Sequence, residues 1–272
     1  MLDLLQITND PAFARRCDAL PGMRLFVDLE RHGKAERQAG RNTFISTHGI
    51  DDVARVRQAL SSARLMVRVN PLHAGTPAEV DAVIARGADL LMLPMFRSAA
   101  ELAQFSQIVA ARVPIVPLLE TRQALETLDQ WIATPGLVEV YVGLNDLHVS
   151  LGCRFMFEPL ADGLVEQVAM AARQHGLRFG FGGIARLNEG LLPGQDVLAE
   201  HLRLGSSAVI LSRTFHGNAD TATFEQEIAT LRQAEAGLAG RSGAQQEADR
   251  VRVAGLIRQI AAGMAGRRAD AP

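Results

Sequence analysis

The chain has 272 residues, 48% of them hydrophobic and 21% charged, with a formal net charge of −2. That balance provides no basic surface for nucleic acid or an anionic membrane, and the length suits one large core of the size a single β/α barrel needs. No apolar run is long enough to span a bilayer, the start MLDLLQITND lacks the basic region of a signal peptide, and the two cysteines, Cys17 and Cys153, form no CxxC pair; the expected setting is reducing and cytoplasmic.

Short apolar runs alternate with helix-period segments along most of the chain, the pattern of β/α repetition. Leu2–Thr8 reads as a first strand, Pro11–Asp18 as a short helix, and Arg24–Leu29 as a second strand that runs out at Glu30. The polar segment Arg31–Gly49 is longer than most connections, a length associated with function. A helix opens at Asp51 with Val53, Val56 and Leu60 on one face, and Leu65–Val69 is a third strand delivering Arg68 and Asn70 to its end. Thr76-Pro77-Ala78-Glu79 has the form of a capped helix start, with Gly87 as the stop. Asp89–Leu93 is the fourth strand; Ser98-Ala99-Ala100-Glu101 repeats the capping pattern.

Ile115–Leu119 is the fifth strand, followed by a helix that Thr121 caps and that carries Leu125, Leu128 and Ile132. Val138–Leu144 is the sixth strand, Leu164–His175 a helix, Arg178–Phe181 a seventh strand ending in Gly182-Gly183, Asp196–Leu204 a helix, and Ala208–Leu211 the eighth strand. Eight strands, mostly followed by helices, predict a closed (β/α)8 TIM barrel; the competing open doubly wound sheet lacks a GxGxxG after its first strand. The barrel is expected over residues 1–233. The Gly- and Ala-rich stretch Ala234–Gly243 reads as a linker or frayed end, and Gln245–Met264 as an extra C-terminal helix, packed on the barrel or on a neighbouring subunit. Arg267–Pro272 is expected to be disordered.

In β/α barrels the polar residues at the C-terminal strand ends form the active site. That rule selects Glu30, Arg68, Asn70, Glu120, Asn145, Asp146 and the Gly182-Gly183 pair. Glu120 and Asp146 end consecutive apolar runs, and neighbouring strands lie roughly 4.8 Å apart. Two carboxylates that close repel unless a proton or cation lies between them, and a hard divalent ion such as Mg²⁺, or Mn²⁺, is the natural occupant. Taken singly, Glu120 could instead cap the following helix and Asp146 could order the loop after its strand. Arg68 can bond a carboxylate or developing oxyanion through two parallel hydrogen bonds, or bridge to Glu30. Glu30 stays open between an acid or base, a water-mediated metal ligand, and a partner for Arg68. Gly182-Gly183 is read as a tight turn in preference to a phosphate cradle.

The segments VDLE (27–30), VRVNP (67–71), LLET (118–121) and VGLNDLHVSLG (142–152) resemble the HpcH/HpaI aldolase and citrate lyase β-subunit family, metal-dependent lyases of the phosphoenolpyruvate/pyruvate barrel superfamily. The resemblance covers roughly residues 25–152. It implies that Glu120 and Asp146 bind the metal, that Arg68 is the active-site arginine, and that the protein is a homo-oligomer with C-terminal helices exchanged between subunits. Backbone N–H groups around Gly143, Leu144 and Asn145 suit the substrate carboxylate, because glycine permits close approach.

Three positions depart from the family pattern. Arg31 and then His32 follow the acid where a histidine usually comes directly, Pro94 precedes Met95 where Lys is usual in citrate-lyase-like members, and His148 replaces a serine. The base is therefore unassigned among His32, His48, His73 and His148, with Glu30 beside them. The expected function is a divalent-metal-dependent carbon–carbon lyase acting on a small 2-keto acid. Its rivals are an acyl-CoA lyase of the malyl-CoA or citryl-CoA type and a subunit active only with a partner chain.

Overall fold

In the computed structural model, which describes residues 1–33, 46–216 and 221–269, eight strands close into one barrel in chain order, β1 to β8. The registered neighbours β1–β2, β2–β3, β3–β4, β4–β5 and β7–β8 all run parallel. The chain forms two compact units, Asp3–Tyr141 and Val142–Pro272 with Met1–Leu2.

The first unit carries β1 (Asp3–Ile7), α1 (Pro11–Asp18), β2 (Met23–Asp28), α2 (Ile50–Ala59), β3 (Leu65–Arg68), α3 (Thr76–Ala85), β4 (Leu90–Leu93), α4 (Ala99–Val109), β5 (Ile115–Leu119), α5 (Arg122–Glu126), α6 (Leu128–Trp131) and most of β6 (Glu139–Val142). Its strands are apolar runs covered on both faces, as parallel strands must be; every residue of β2, β4 and β5 is buried. The helices start where local chemistry supplies a cap. Asp10 accepts from the Ala12 N–H at 2.8 Å ahead of Pro11, and Ser98 accepts from Glu101 N–H.

Side chains alternate along β2, so Arg24, Phe26 and Asp28 share a face. At the N-terminal end of that row, Arg24 reaches Glu139 Oε1 and Oε2 at 2.9 and 3.0 Å and Asp3 Oδ2 at 2.6 Å. Burial alone would lower the Arg24 pKa; the charges and hydrogen bonds of Glu139 and Asp3 raise it instead. At the C-terminal end, Asp28 stands in register with Arg68 of β3.

The second unit carries α7 (Leu144–Leu151), α8 (Glu158–Ala161), α9 (Leu164–Gln174), β7 (Arg178–Ile184), α10 (Gly194–Leu204), β8 (Ala208–Leu211), a 3₁₀ turn at Arg213–His216, α11 (Thr221–Ala239) and α12 (Gly243–Ala269). The C-terminal helix packs on its own chain, against α8 and α10. Val253, Ala254, Ile257 and Ala261 form the buried stripe, and Arg252 clamps Asp196 through Oδ1 and Oδ2 at 2.7 and 3.1 Å.

Several boundaries differ from the sequence reading. Strand β6 stops at Val142 and a helix begins at Leu144, so Asn145 and Asp146 occupy a first helical turn rather than a strand end. The helix after β5 breaks at Thr127 into α5 and α6. The supposed turn at Gly182-Gly183 lies inside β7, which continues to Ile184; Gly182, at φ +54°, sits at an irregularity in the β7–β8 register, a bulge that a residue without Cβ accommodates. Ala234–Ala239 is helical, the alanines extending α11 to a break at Gly240. The last helix runs to Ala269, so Arg267–Ala269 is helical, while 270–272 and most of the long polar segment, 34–45, lie outside the described residues.

Candidate active site

In the first unit the ends of β2, β3 and β5 supply one charged cluster. Arg68 donates through Nε to Asp28 Oδ1 and through Nη2 to Asp28 Oδ2, both at 2.8 Å. Its Nη1 lies 3.4 Å from Glu30 Oε2, and its guanidinium carbon stands 5.6 Å from the centre of the Phe26 ring. The bridge expected to Glu30 is therefore the longer contact, and Asp28 is the principal partner. Burial pulls the Arg68 pKa down, but the charges of Asp28 and Glu30, the hydrogen bond to Asp28 and the charge of Glu120 raise it well above its ordinary value. Arg68 is a fixed cation, held flat by a bidentate fork.

Asp28 was not among the residues selected from the sequence. The signal was its parity with Glu30, two residues on along a strand whose alternate side chains face the same way. The Asp28 N–H is itself occupied, donating to His48 Nδ1 at 3.1 Å. His48, only 6% exposed, is thereby placed as a support for β2.

Glu120 is buried. Helix α5 is capped by Thr121, which accepts from Ala124 N–H at 3.1 Å, so Glu120 is not spent as the cap. Its Oε1 accepts the Met95 N–H at 2.9 Å. Met95 has φ +57°, an unusual left-handed conformation for a residue with a side chain. Such outliers concentrate where the chain must aim a group, and here the amide is aimed at Glu120. Thr121 Oγ1 donates to Phe96 O at 2.9 Å and ties the same two strand ends together.

Asp28, Glu30, Glu120 and Arg68 together carry a formal charge of two negative. A divalent cation takes oxygen ligands of this type. Among the described residues no three His, Cys, Asp or Glu side chains converge tightly enough to encage an ion. The fit rests on the donor type alone: an ion such as Mg²⁺ takes one or two carboxylates and leaves its other positions to water and substrate.

In the second unit, Gly143 precedes α7, and the first bond of the i→i−4 kind runs from Leu147 N to Gly143 O at 3.0 Å. The N–H groups of Leu144 and Asn145 precede that bond and lie at the positive end of the helix, a setting suited to a carboxylate. The Leu144 side chain is buried, and a Cβ at Gly182 would stand 3.0 Å from Leu144 Cδ1. Its side chain is thus a packing element, leaving the backbone for recognition. Asn145 is exposed and Asp146 half-buried in the first turn. His148 Nδ1 lies 2.9 Å from Leu144 O and donates into its own helix.

A family model described as HpcH/HpaI aldolase/citrate lyase matches residues 8–181. A (3S)-malyl-CoA thioesterase of Cereibacter sphaeroides is 34% identical over 117 residues, covering 41% of this chain and 40% of that protein; the match thus spans about two-fifths of the length of this curated relative. A solved HpcH/HpaI aldolase/citrate lyase family protein from Burkholderia cenocepacia J2315 superposes with a TM-score of 0.63 at 18% identity, covering 85% of this chain and 94% of that one. The citrate lyase β subunit from M. tuberculosis, complexed with oxaloacetate and magnesium, gives 0.60 at 19% identity over 86% and 96%. At such identities the structural likeness speaks for the fold.

Proposed function

The chain belongs to the HpcH/HpaI aldolase/citrate lyase family, and we propose that it is a divalent-metal-dependent lyase that breaks or forms a carbon–carbon bond next to a pyruvate-type enolate. The observation that carries this reading is the Arg68 fork, a permanent cation fixed by Asp28 at 2.8 Å among three buried carboxylates. In this reading Glu120 and Asp146 hold Mg²⁺ or Mn²⁺, and the magnesium and oxaloacetate of the M. tuberculosis relative support that choice. The ion, when bound, supplies Lewis-acid polarisation of a keto oxygen. Arg68 faces the negative charge that develops on the enolate oxygen; because Asp28 already fixes its plane, little reorganisation is needed as that charge forms. The Leu144 and Asn145 N–H groups receive the carboxylate of the keto acid, and Met95 N–H keeps the Glu120 carboxylate turned to its task.

Turnover of a 2-keto acid by wild type and Glu120→Ala, with Mg²⁺ added and then removed by chelator, tests the proposal. Metal-dependent turnover in wild type and its loss in a folded Glu120→Ala protein are expected; unchanged rates in the variant would refute the assignment.

A second reading places the keto or acyl unit on coenzyme A. It is favoured by exposed Arg31, Arg97 and Arg122, which follow β2, β4 and β5, since guanidinium groups suit phosphate recognition. The likeness to a (3S)-malyl-CoA thioesterase points the same way. Running the same assay with free keto acid and with the acyl-CoA thioester separates the two readings.

A further inference from the structure

We propose that Asn70, anchored by Glu79, is the positioning residue that sets the Glu30 carboxylate against Arg68. The assignment rests on the lyase reading and deepens it by naming what holds this side of the charged cluster in place.

The reason lies in how the β2–β3 ladder ends. In a parallel pair the hydrogen bonds are evenly spaced: Leu25 N–H donates to Arg64 O at 3.0 Å and Leu29 N–H to Arg68 O at 2.9 Å. The next bond on that side would join Arg31 N–H to Asn70 O. Strand β3 has ended by then, with Pro71 following, and the side chain takes over from the carbonyl. Asn70 Oδ1 accepts the N–H of Arg31 at 2.9 Å and that of His32 at 3.1 Å. With Glu30 N–H donating to Asp28 Oδ1 at 3.2 Å, every N–H from Leu29 to His32 has a fixed acceptor. Glu30 is therefore tied down through both neighbours, and its Oε2 rests 3.4 Å from Arg68 Nη1, the guanidinium nitrogen outside the Asp28 fork.

Position 70 calls for an amide. Backbone N–H groups donate and a carboxylate accepts, so the side chain must accept at one end and donate at the other. Asn70 donates through Nδ2 and its own N–H to Glu79 Oε1 at 2.8 and 3.2 Å. Glu79 looked from the sequence like the second half of a capping box. It does not turn back to the helix start, because Gly75 takes the cap position and Thr76 is already helical. The carboxylate instead spans Asn70 and His73, whose Nε2 lies 3.1 Å from Glu79 Oε2. His73 Nδ1 accepts the Gly75 N–H at 3.0 Å, and a Cβ at Gly75 would lie 2.9 Å from His73 Cε1. His73 is thereby placed as a support for Glu79.

In the lyase reading Arg68 faces the charge that develops on the enolate oxygen. Its plane is set by Asp28 and, at Nη1, by Glu30. A shift of residues 29–32 moves Glu30 and lets the guanidinium follow, so the loss of Asn70 falls on the transition state and not on substrate binding.

The test is Mg²⁺-dependent exchange of the pyruvate methyl protons in D₂O, followed by NMR for wild type, Asn70→Ala, Asn70→Asp and the double variant Asn70→Asp, Glu79→Gln. Backbone amide exchange of the same proteins without substrate runs beside it. Asn70→Ala should lower the methyl-exchange kcat roughly 10-fold at unchanged KM, with the Arg31 and His32 amides exchanging faster than in wild type. Asn70→Asp keeps the acceptor but sets two carboxylates face to face, and should fall at least as far. Adding Glu79→Gln supplies an amide that donates to the new carboxylate, and should recover most of the lost kcat. Wild-type kcat in Asn70→Ala, no recovery in the double variant, or unaltered exchange of the two amides would overturn the assignment. A wild-type protein that exchanges no methyl protons would overturn the lyase reading itself, and is distinguishable because it fails before any substitution.

Discussion

Asp28, the last residue of β2, and Glu30, two residues on, are both buried acids, and the structure gives them unequal work. Asp28 takes both arms of the Arg68 fork, while Glu30 stands at 3.4 Å. Removing one partner of a buried pair leaves the other charge uncompensated. Asp28→Asn keeps the shape and one acceptor, so chemical denaturation should show a loss of about 2–3 kcal/mol, short of the 3–5 seen when a buried pair is broken outright. Because Arg68 would lose its fixed plane, kcat should fall by roughly 10- to 100-fold with a smaller change in KM. A variant with wild-type kcat would show that the fork serves stability alone. Arg68, Glu30 and Glu120 were legible in the sequence because each ends or follows an apolar run. Asp28 was hidden within such a run, and Glu79 was disguised by a spacing that also describes a helix cap.

Among the elements, α10 and β7 meet around a histidine with no role in the chemistry. His201 is fully buried, its ring stacked on Phe181 with centroids 3.8 Å apart and planes at 9°. Its Nδ1 lies 2.8 Å from Ser206 Oγ, and its Nε2 has no hydrogen-bond partner. Burial pushes its pKa down to about 3 from an ordinary 6.5. Since the folded form resists protonation, the unfolded chain binds the extra proton first, and stability falls as pH drops from 6.5 towards 3. At pH 5 this one group should cost about 2 kcal/mol relative to pH 7. Urea denaturation of His201→Leu at both pH values should show a correspondingly flatter dependence, although the variant loses the ring contact at neutral pH. An unchanged slope would contradict the account. The element pattern itself was legible wherever apolar runs were bounded by caps such as Ser98 and Thr121. It failed where tertiary geometry overrode local signals: the strand reading ran on through Leu144, which opens α7, and stopped at Phe181, although the bulge at Gly182 lets β7 continue.

For the molecule as a whole, closure of eight strands in chain order gives the two ends of the barrel different tasks. At the N-terminal ends, Arg24, Glu139 and Asp3 neutralise one another inside the wall, the stabilising role expected of that face. At the C-terminal ends Asp28, Glu30 and Glu120 gather around Arg68, and the chain belongs to the aldolase/citrate lyase family. The sequence pattern was enough for the barrel, since alternating apolar runs and amphipathic helices have few other ways to bury themselves. It was not enough for the C-terminal helix, whose stripe had to be seen against α8 and α10 before its place on its own chain was known. The central claim is that Glu120 and Asp146 are ligands of one divalent ion. Crystals grown with Mn²⁺ and oxalate, measured for anomalous scattering at the manganese edge, test it most directly. The account predicts a single strong peak bonded to both carboxylates and to oxalate, with Arg68 facing the bound anion. A peak elsewhere, or none, with either carboxylate turned from the oxalate, would contradict it.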